Sequence, residues 1–285
     1  MSNRKITQII SAQEVTEGAG VSVFRSIGTR ARRNLDPFVM LDQFSTDNPD
    51  DYIAGFPDHP HRGFNTFTYM IDGHMRHGDS MGNRGDLGPG GAQWMKAGSG
   101  VIHSEMPQQE SGRMRGFQLW INLPADQKMT APEYQDVPPE AIAEVKNEIS
   151  RVRVVAGAFN GIRGPVTDPN TGFQFLDVTL SADNDFVHRL ARNDSAFLYL
   201  FEGSASVGDT EVKEQQLAVL GEGEQVSVTA DGNGARFLLV AGRVIGEPIV
   251  QYGPFVMNTR EEIEQALADY RDGKLVQMRA NMIVR

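Results

Sequence analysis

Two short motifs carry the residue types for chemistry. His59-Pro60-His61 and His103-Ser104-Glu105 each place two metal-ligating side chains at i and i+2. On an extended strand such residues point to one face, so each pair can close on a single ion. Brought together on neighbouring strands, the two motifs would supply three imidazoles and one carboxylate. That set suits Fe, Mn, Ni, Cu or Zn in a partly open site. Either pair alone is common on an edge strand; both pairs within one β domain point to metal. Cysteine is absent, which excludes disulfides, thiolate zinc sites, Cys-ligated iron–sulfur clusters and cysteine nucleophiles. Gly98-Ser99-Gly100 precedes the second motif and lets the backbone turn before it.

The remaining candidates carry less. His74 and His77 follow Gly73 and read as solvated loop residues, with His77 able to reach a pocket rim. His188, in Asp185-Phe-Val-His-Arg-Leu190, has no second ligand nearby and reads as a packed or surface residue. Trp94, Met95, Phe117 and Trp120 read as core, and any that line a cavity mouth would suit a flat aromatic ligand. The Gly-rich stretch Gly78–Gly85 lacks the Gly-Lys-Ser/Thr of a phosphate-binding loop.

The elements that must hold these motifs read as short strands between turns. Phe64–Ile71 is rich in aromatic and β-branched residues and ends at the turn signal Asp72-Gly73. Arg115–Leu123 alternates Phe117, Leu119, Ile121 and Leu123 on one face. Further strands are read at 151–158, 173–180, 196–202, 216–220, 225–229 and 235–241. Their spacing predicts an antiparallel sandwich or barrel. One helix is predicted at about 259–272: Thr259-Arg-Glu-Glu262 is a capping box, Ile263, Ala266, Leu267 and Tyr270 form a stripe, and Gly273 is placed to end it.

The 285 residues suffice for two domains. Thirty-seven acidic against 27 basic side chains give a net charge of −10, which argues against a general nucleic-acid or anionic-membrane surface. Residues 1–33 run the other way, with six basic side chains against two acidic, and the Arg25–Arg33 cluster is a candidate partner patch or a solvated face. No apolar run approaches a spanning helix and no leader is visible, so a cytoplasmic protein is expected.

Longer stretches carry a family resemblance. Phe56-Pro-Asp-His-Pro-His-Arg-Gly-Phe64 with Trp94-Met-Lys-Ala-Gly-Ser-Gly-Val-Ile-His-Ser-Glu-Met-Pro107 strongly resembles the pirins, a branch of the cupin superfamily. Asn34–Phe38, Leu41–Phe44, Gln118–Leu123 and Gly253–Asn258 match as well. The resemblance implies an all-β bicupin, two antiparallel jelly-roll barrels with a C-terminal helix. The polar stretch with Pro138-Pro139 at 131–150 reads as a connection between β domains at 1–130 and 151–245, with an extension at 246–285. The resemblance makes the first the metal-binding barrel and the second a barrel without a metal site. The ligands it implies are His59, His61, His103 and Glu105, around one divalent transition metal, Fe(II) first, with Mn, Ni, Co, Cu or Zn open. Asn65 stands where pirins often keep a carboxylate, and by parity from His59 and His61 it is expected on their face. The activity implied is quercetin 2,3-dioxygenase, with Glu105 as the base and with a flavonol and O2 as substrates. The alternative implied is a metal- or redox-responsive regulator acting through a protein partner.

Overall fold

Phe38–Thr46, Phe64–Asp72 and Met114–Asn122 are nine-residue strands built from alternating large side chains. Antiparallel pairing sets Leu119 between Leu41 and Phe67. Here the protein is seen as a computed structural model, which describes residues 2–283. Its contacts divide it into two units: one of residues 14–28, 38–139 and 245–285, the other of residues 1–13, 29–37 and 140–244.

The first unit holds both motifs. Its eight-stranded sheet runs in the order Gln13–Glu17, Val21–Ile27, Phe38–Thr46, Met114–Asn122, Phe64–Asp72, Ala92–Lys96, Glu133–Val137 and Asn281–Met282. A four-stranded sheet, Phe56–His61, Val101–Pro107, Met75–Asp79 and Arg84–Leu87, carries the two motifs on its first two strands. Side chains of the two sheets meet across the histidines, Thr68 on Glu105, Trp120 on His61 and Tyr134 on His77.

The second unit is a nine-stranded sheet on which Ile6–Ser11 pairs with Gln216–Leu220. Its core includes Val152, Leu176, Phe186, Leu198, Phe237 and Leu239, each contributing about 1.5–3 kcal/mol by burial. The two segments read as separate strands at 225–229 and 235–241 form one strand, Gln225–Gly242. Register shifts at Leu200/Glu202 and Gly203/Ala205 accompany its long pairing with Ser195–Val207. Arg4, part of the basic N-terminal segment, is buried in this unit. Its guanidinium donates to the carbonyls of Ala191, Arg192, Asp194, Gly221 and Gly223 at 2.6–3.2 Å.

Three sequence expectations change here. The barrels are not seen as closed: each sheet order has two ends, and no pairing joins them among the described residues. The region 131–150, read as a connection, contains the strands Glu133–Val137 and Ala143–Lys146, which belong to different units. The first strand, Ile6–Ser11, belongs to the later unit because its backbone pairs with the otherwise open edge of Gln216–Leu220.

The helix Arg260–Arg271 forms as read, with the reciprocal Thr259–Glu262 capping box and Gly273 at φ 68° beyond its end. Its buried face is Ile263, Ala266 and Asp269, while Leu267 and Tyr270 are exposed. An acid replaces the expected apolar contact because Asp269 meets a buried arginine, described below. Among the described residues no helix is long and apolar enough to cross a membrane.

Candidate metal centre

Antiparallel pairing of Phe56–His61 with Val101–Pro107 sets His59 directly opposite His103 and His61 opposite Val101. The i, i+2 rule puts His59 and His61 on one face, so three rings gather, with centroids 4.4–4.8 Å apart. One ligand nitrogen from each ring lies within 4.8 Å of the others. His61 and His103 are buried and His59 is partly open.

The ring nitrogens show what this cluster lacks. His59 Nδ1 lies 2.8 Å from the Pro57 carbonyl, and His61 Nδ1 lies 3.4 Å from the Pro254 carbonyl. A carbonyl only accepts, so both Nδ1 atoms carry the proton and both Nε2 atoms present lone pairs. Those two Nε2 atoms face each other at 3.0 Å. His103 Nδ1 contacts His77 Nε2 at 2.9 Å, and His103 Nε2 is buried without a hydrogen-bond partner. Two bare lone pairs facing each other at 3.0 Å, with the unpartnered His103 Nε2 beside them, repel unless a cation stands among them. The donor set therefore fits a metal ion, and the partnered Nδ1 atoms are the outer contacts that fix ligand tautomers. Burial lowers the pKa of all three imidazoles, that of His61 and His103 well below the ordinary value. They are neutral at neutral pH, as ligation requires.

Glu105 stands two residues from His103 on the same strand and is buried. Its carboxylate is not among the ligand atoms grouped within 4.8 Å. It sits against the Thr68 hydroxyl, 3.2 Å away, which is also 2.6 Å from Gln118 Oε1. Desolvation pushes the Glu105 carboxyl up to about 7, with the Thr68 contact opposing; a cation beside it would favour the ionised form.

His77 is the residue the sequence reading missed. It is no loop residue: it lies buried on the strand Met75–Asp79, opposite Glu105 in register, against His103 Nδ1. Met75, His77 and Asp79 alternate as the other motifs do, and that was the available signal. His74 is half-exposed and lies near Asp86. His188 packs near Phe159 and Phe186 in the second unit, with Nε2 3.0 Å from Gln174 Oε1.

Asn65 is a correction. Gly63, at φ 89°, turns the chain between the strands and breaks the parity count. Phe64, Thr66 and Thr68 share the face of Trp120 and Gln118, toward His61 and Glu105, and Asn65 points the other way. It is fully buried, and neither amide atom has a hydrogen-bond partner. Phe64 and Trp120, 4.3 Å apart, form an aromatic wall beside His61. In the Arg25–Arg33 cluster, Arg25 is engaged with Asp42 at 2.6 Å and Glu17 at 2.8 Å.

Known proteins resemble this sequence and share this fold. The Pirin family model matches residues 20–121 and that of the Pirin C-terminal cupin domain matches 175–276. A Pseudomonas aeruginosa protein named "Putative quercetin 2,3-dioxygenase" is 49% identical over 280 residues, covering 95% of this chain and 98% of its own. Human pirin is 39% identical over 279 residues, covering 96% and 94%. The crystal structure of a quercetin 2,3-dioxygenase from Acinetobacter baumannii superposes with a TM-score of 0.90 at 31% identity, covering 96% and 99%. With both halves matched and the fold shared along nearly its whole length, the chain belongs to the pirin family and has its cupin-type, two-unit β fold.

Proposed function

We infer that the protein is a metal-dependent dioxygenase that cleaves flavonols such as quercetin with O2. The observation that carries this reading is the trio of bare Nε2 atoms beside an aromatic wall. The relatives named for quercetin dioxygenation supply the substrate class. A divalent transition metal, Fe(II) first and Mn, Ni, Co, Cu or Zn as alternatives, would be held by His59, His61, His103 and Glu105 and supplies Lewis acidity at the flavonol 3-oxygen.

The chain's own residues do the rest. Glu105 takes the proton of the flavonol 3-hydroxyl, and the Thr68 hydroxyl keeps its carboxylate in place. Trp120, backed by the buried Phe64, presents an apolar surface that orients the flat rings and limits water beside His61. The electron-rich flavonolate then reacts with O2. The C2–C3 and C3–C4 bonds of its central ring break, and C3 leaves as CO with the 3-oxygen. Both atoms of O2 enter the depside at C2 and C4, and the proton held by Glu105 passes to the product carboxylate. The test is O2 uptake with loss of flavonol absorbance by metal-reconstituted protein. Glu105→Gln is expected to lower turnover by ~10²–10⁴-fold, and undiminished turnover contradicts its assignment as base.

A further inference from the structure

The turn that follows the first motif is gripped by a segment far away in sequence. Arg62, next to His61, is 1% exposed although it is a cation. Its Nε donates to the Ser99 carbonyl at 2.7 Å, one Nη to Asp269 at 2.7 Å and the other to the Leu275 carbonyl at 3.3 Å. One side chain thus joins three segments: the His59–His61 strand, the Gly98–Gly100 turn that leads into the His103 strand, and the helix Arg260–Arg271 with the turn beyond it.

The backbone repeats the connection. Arg62 bridges Phe255 in parallel, and Val256 N donates to the Arg62 carbonyl at 3.1 Å. The residue just before that bridge, Pro254, supplies the carbonyl that holds His61 Nδ1. Lys128 Nζ then donates to Gly63 O at 2.7 Å, Val256 O at 2.9 Å and Asn122 Oδ1 at 2.6 Å, matching its three N–H bonds. The approach is close enough that a Cβ on Gly63 would run into Val256 O, and one on Gly100 into Leu275 O. The Asp269 carboxylate also accepts from Gln265 Nε2 at 2.7 Å and Gln277 Nε2 at 3.4 Å, and its backbone carbonyl accepts from Lys274 N at 2.7 Å.

We propose that Arg62 and Asp269 are positioning residues for the metal centre, through which the C-terminal helix fixes the Pro254 carbonyl on His61 and sets the metal-facing geometry of both histidine motifs. The proposal rests on the reading that the histidines hold a metal. It also explains the C-terminal extension, whose helix buries an acid on its inner face because that acid holds the arginine between the two ligand strands. Without it, the His61 ring keeps its place on the strand but loses its fixed tautomer and angle. A ligand that must reorganise on binding holds its ion less tightly.

The experiment compares the full-length parent with Asp269→Ala, Asp269→Asn and Ala266→Gly, each loaded with Co(II). Ala266→Gly loosens the same buried helix face without touching Arg62. Loss of Co(II) to excess chelator is timed where circular dichroism shows every variant folded, and the visible Co(II) spectrum is recorded. The proposal expects loss about 10–100-fold faster in Asp269→Ala, with a shifted Co(II) spectrum. Asp269→Asn, which keeps an acceptor for Arg62, falls between it and the parent. Ala266→Gly keeps the parent's spectrum and rate. Parental rates in Asp269→Ala, or equal acceleration in Ala266→Gly, overturn the positioning role while leaving the metal centre in place. A parent that takes up no Co(II) overturns both.

Discussion

Each of the three metal-facing nitrogens is bare because the other nitrogen of its ring is engaged. For His59 and His61 the direct partner is a backbone carbonyl, and that of His61, Pro254 O, adjoins the bridge between Phe255 and Arg62. For His103 it is His77, so among the three rings this one has a side chain as its direct partner. His77→Phe keeps the ring and removes the acceptor. It should weaken metal binding by about 10–100-fold in chelator competition, and unchanged affinity would show that His103 is oriented by something else. Asn65 allows the converse test. Because it faces away from the histidines, Asn65→Asp should leave metal affinity where it was, whereas the parity count along the sequence predicts a gain from a new ligand. The contrast marks what was legible at this scale. His59, His61 and His103 could be read because i, i+2 spacing and strand geometry coincide. His77 was hidden by the turn signal at Gly73-His74, and Asn65 was misplaced because one glycine with positive φ resets the face.

Among the elements, the strands and the helix followed from alternation and from the capping box, while their partners did not. Nothing local to Arg260–Arg271 says that Asp269, rather than Leu267 or Tyr270, turns inward; that follows from a buried arginine about two hundred residues earlier. Two predictions belong here. Lys128→Met leaves the Gly63 and Val256 carbonyls and Asn122 Oδ1 without their donor. It should cost at least about 2 kcal/mol in urea unfolding, since an unpaired buried acceptor costs about 1–3 kcal/mol. The second concerns acid. The hydrogen bond from Arg62 holds the Asp269 carboxyl below its ordinary 3.8, against some desolvation. A carboxyl with a lowered native pKa stabilises the fold above its unfolded pKa, and that contribution fades as pH falls through the native value. The stability of the parent should therefore fall on acidification below about pH 4, and Asp269→Asn should show a shallower fall over the same interval. Equal slopes would remove Asp269 from the acid response.

For the molecule as a whole, composition and strand spacing foretold two β units, and the missing cysteines narrowed any metal shell to nitrogen and oxygen. Two features stayed out of reach: the exchange by which Ile6–Ser11 joins the later unit, and the open ends of the sheets, which no strand pair closes among the described residues. Both depend on long-range pairing that no local pattern encodes. A metal bound only by the folded protein stabilises it by mass action, about 2.7 kcal/mol at a hundredfold excess over Kd. Chelation should therefore lower Tm in the parent and leave His103→Ala unmoved. Metal-dependent flavonol cleavage is tested most directly in one series of samples with graded metal content, determined by elemental analysis, with flavonol-dependent O2 consumption measured in each. O2 uptake should rise in proportion to bound metal, level off at one ion per chain, consume one O2 per flavonol lost, and vanish in His103→Ala. Uptake independent of metal content, or none from protein carrying one ion per chain with any of Fe, Mn, Ni, Co or Cu, would contradict it.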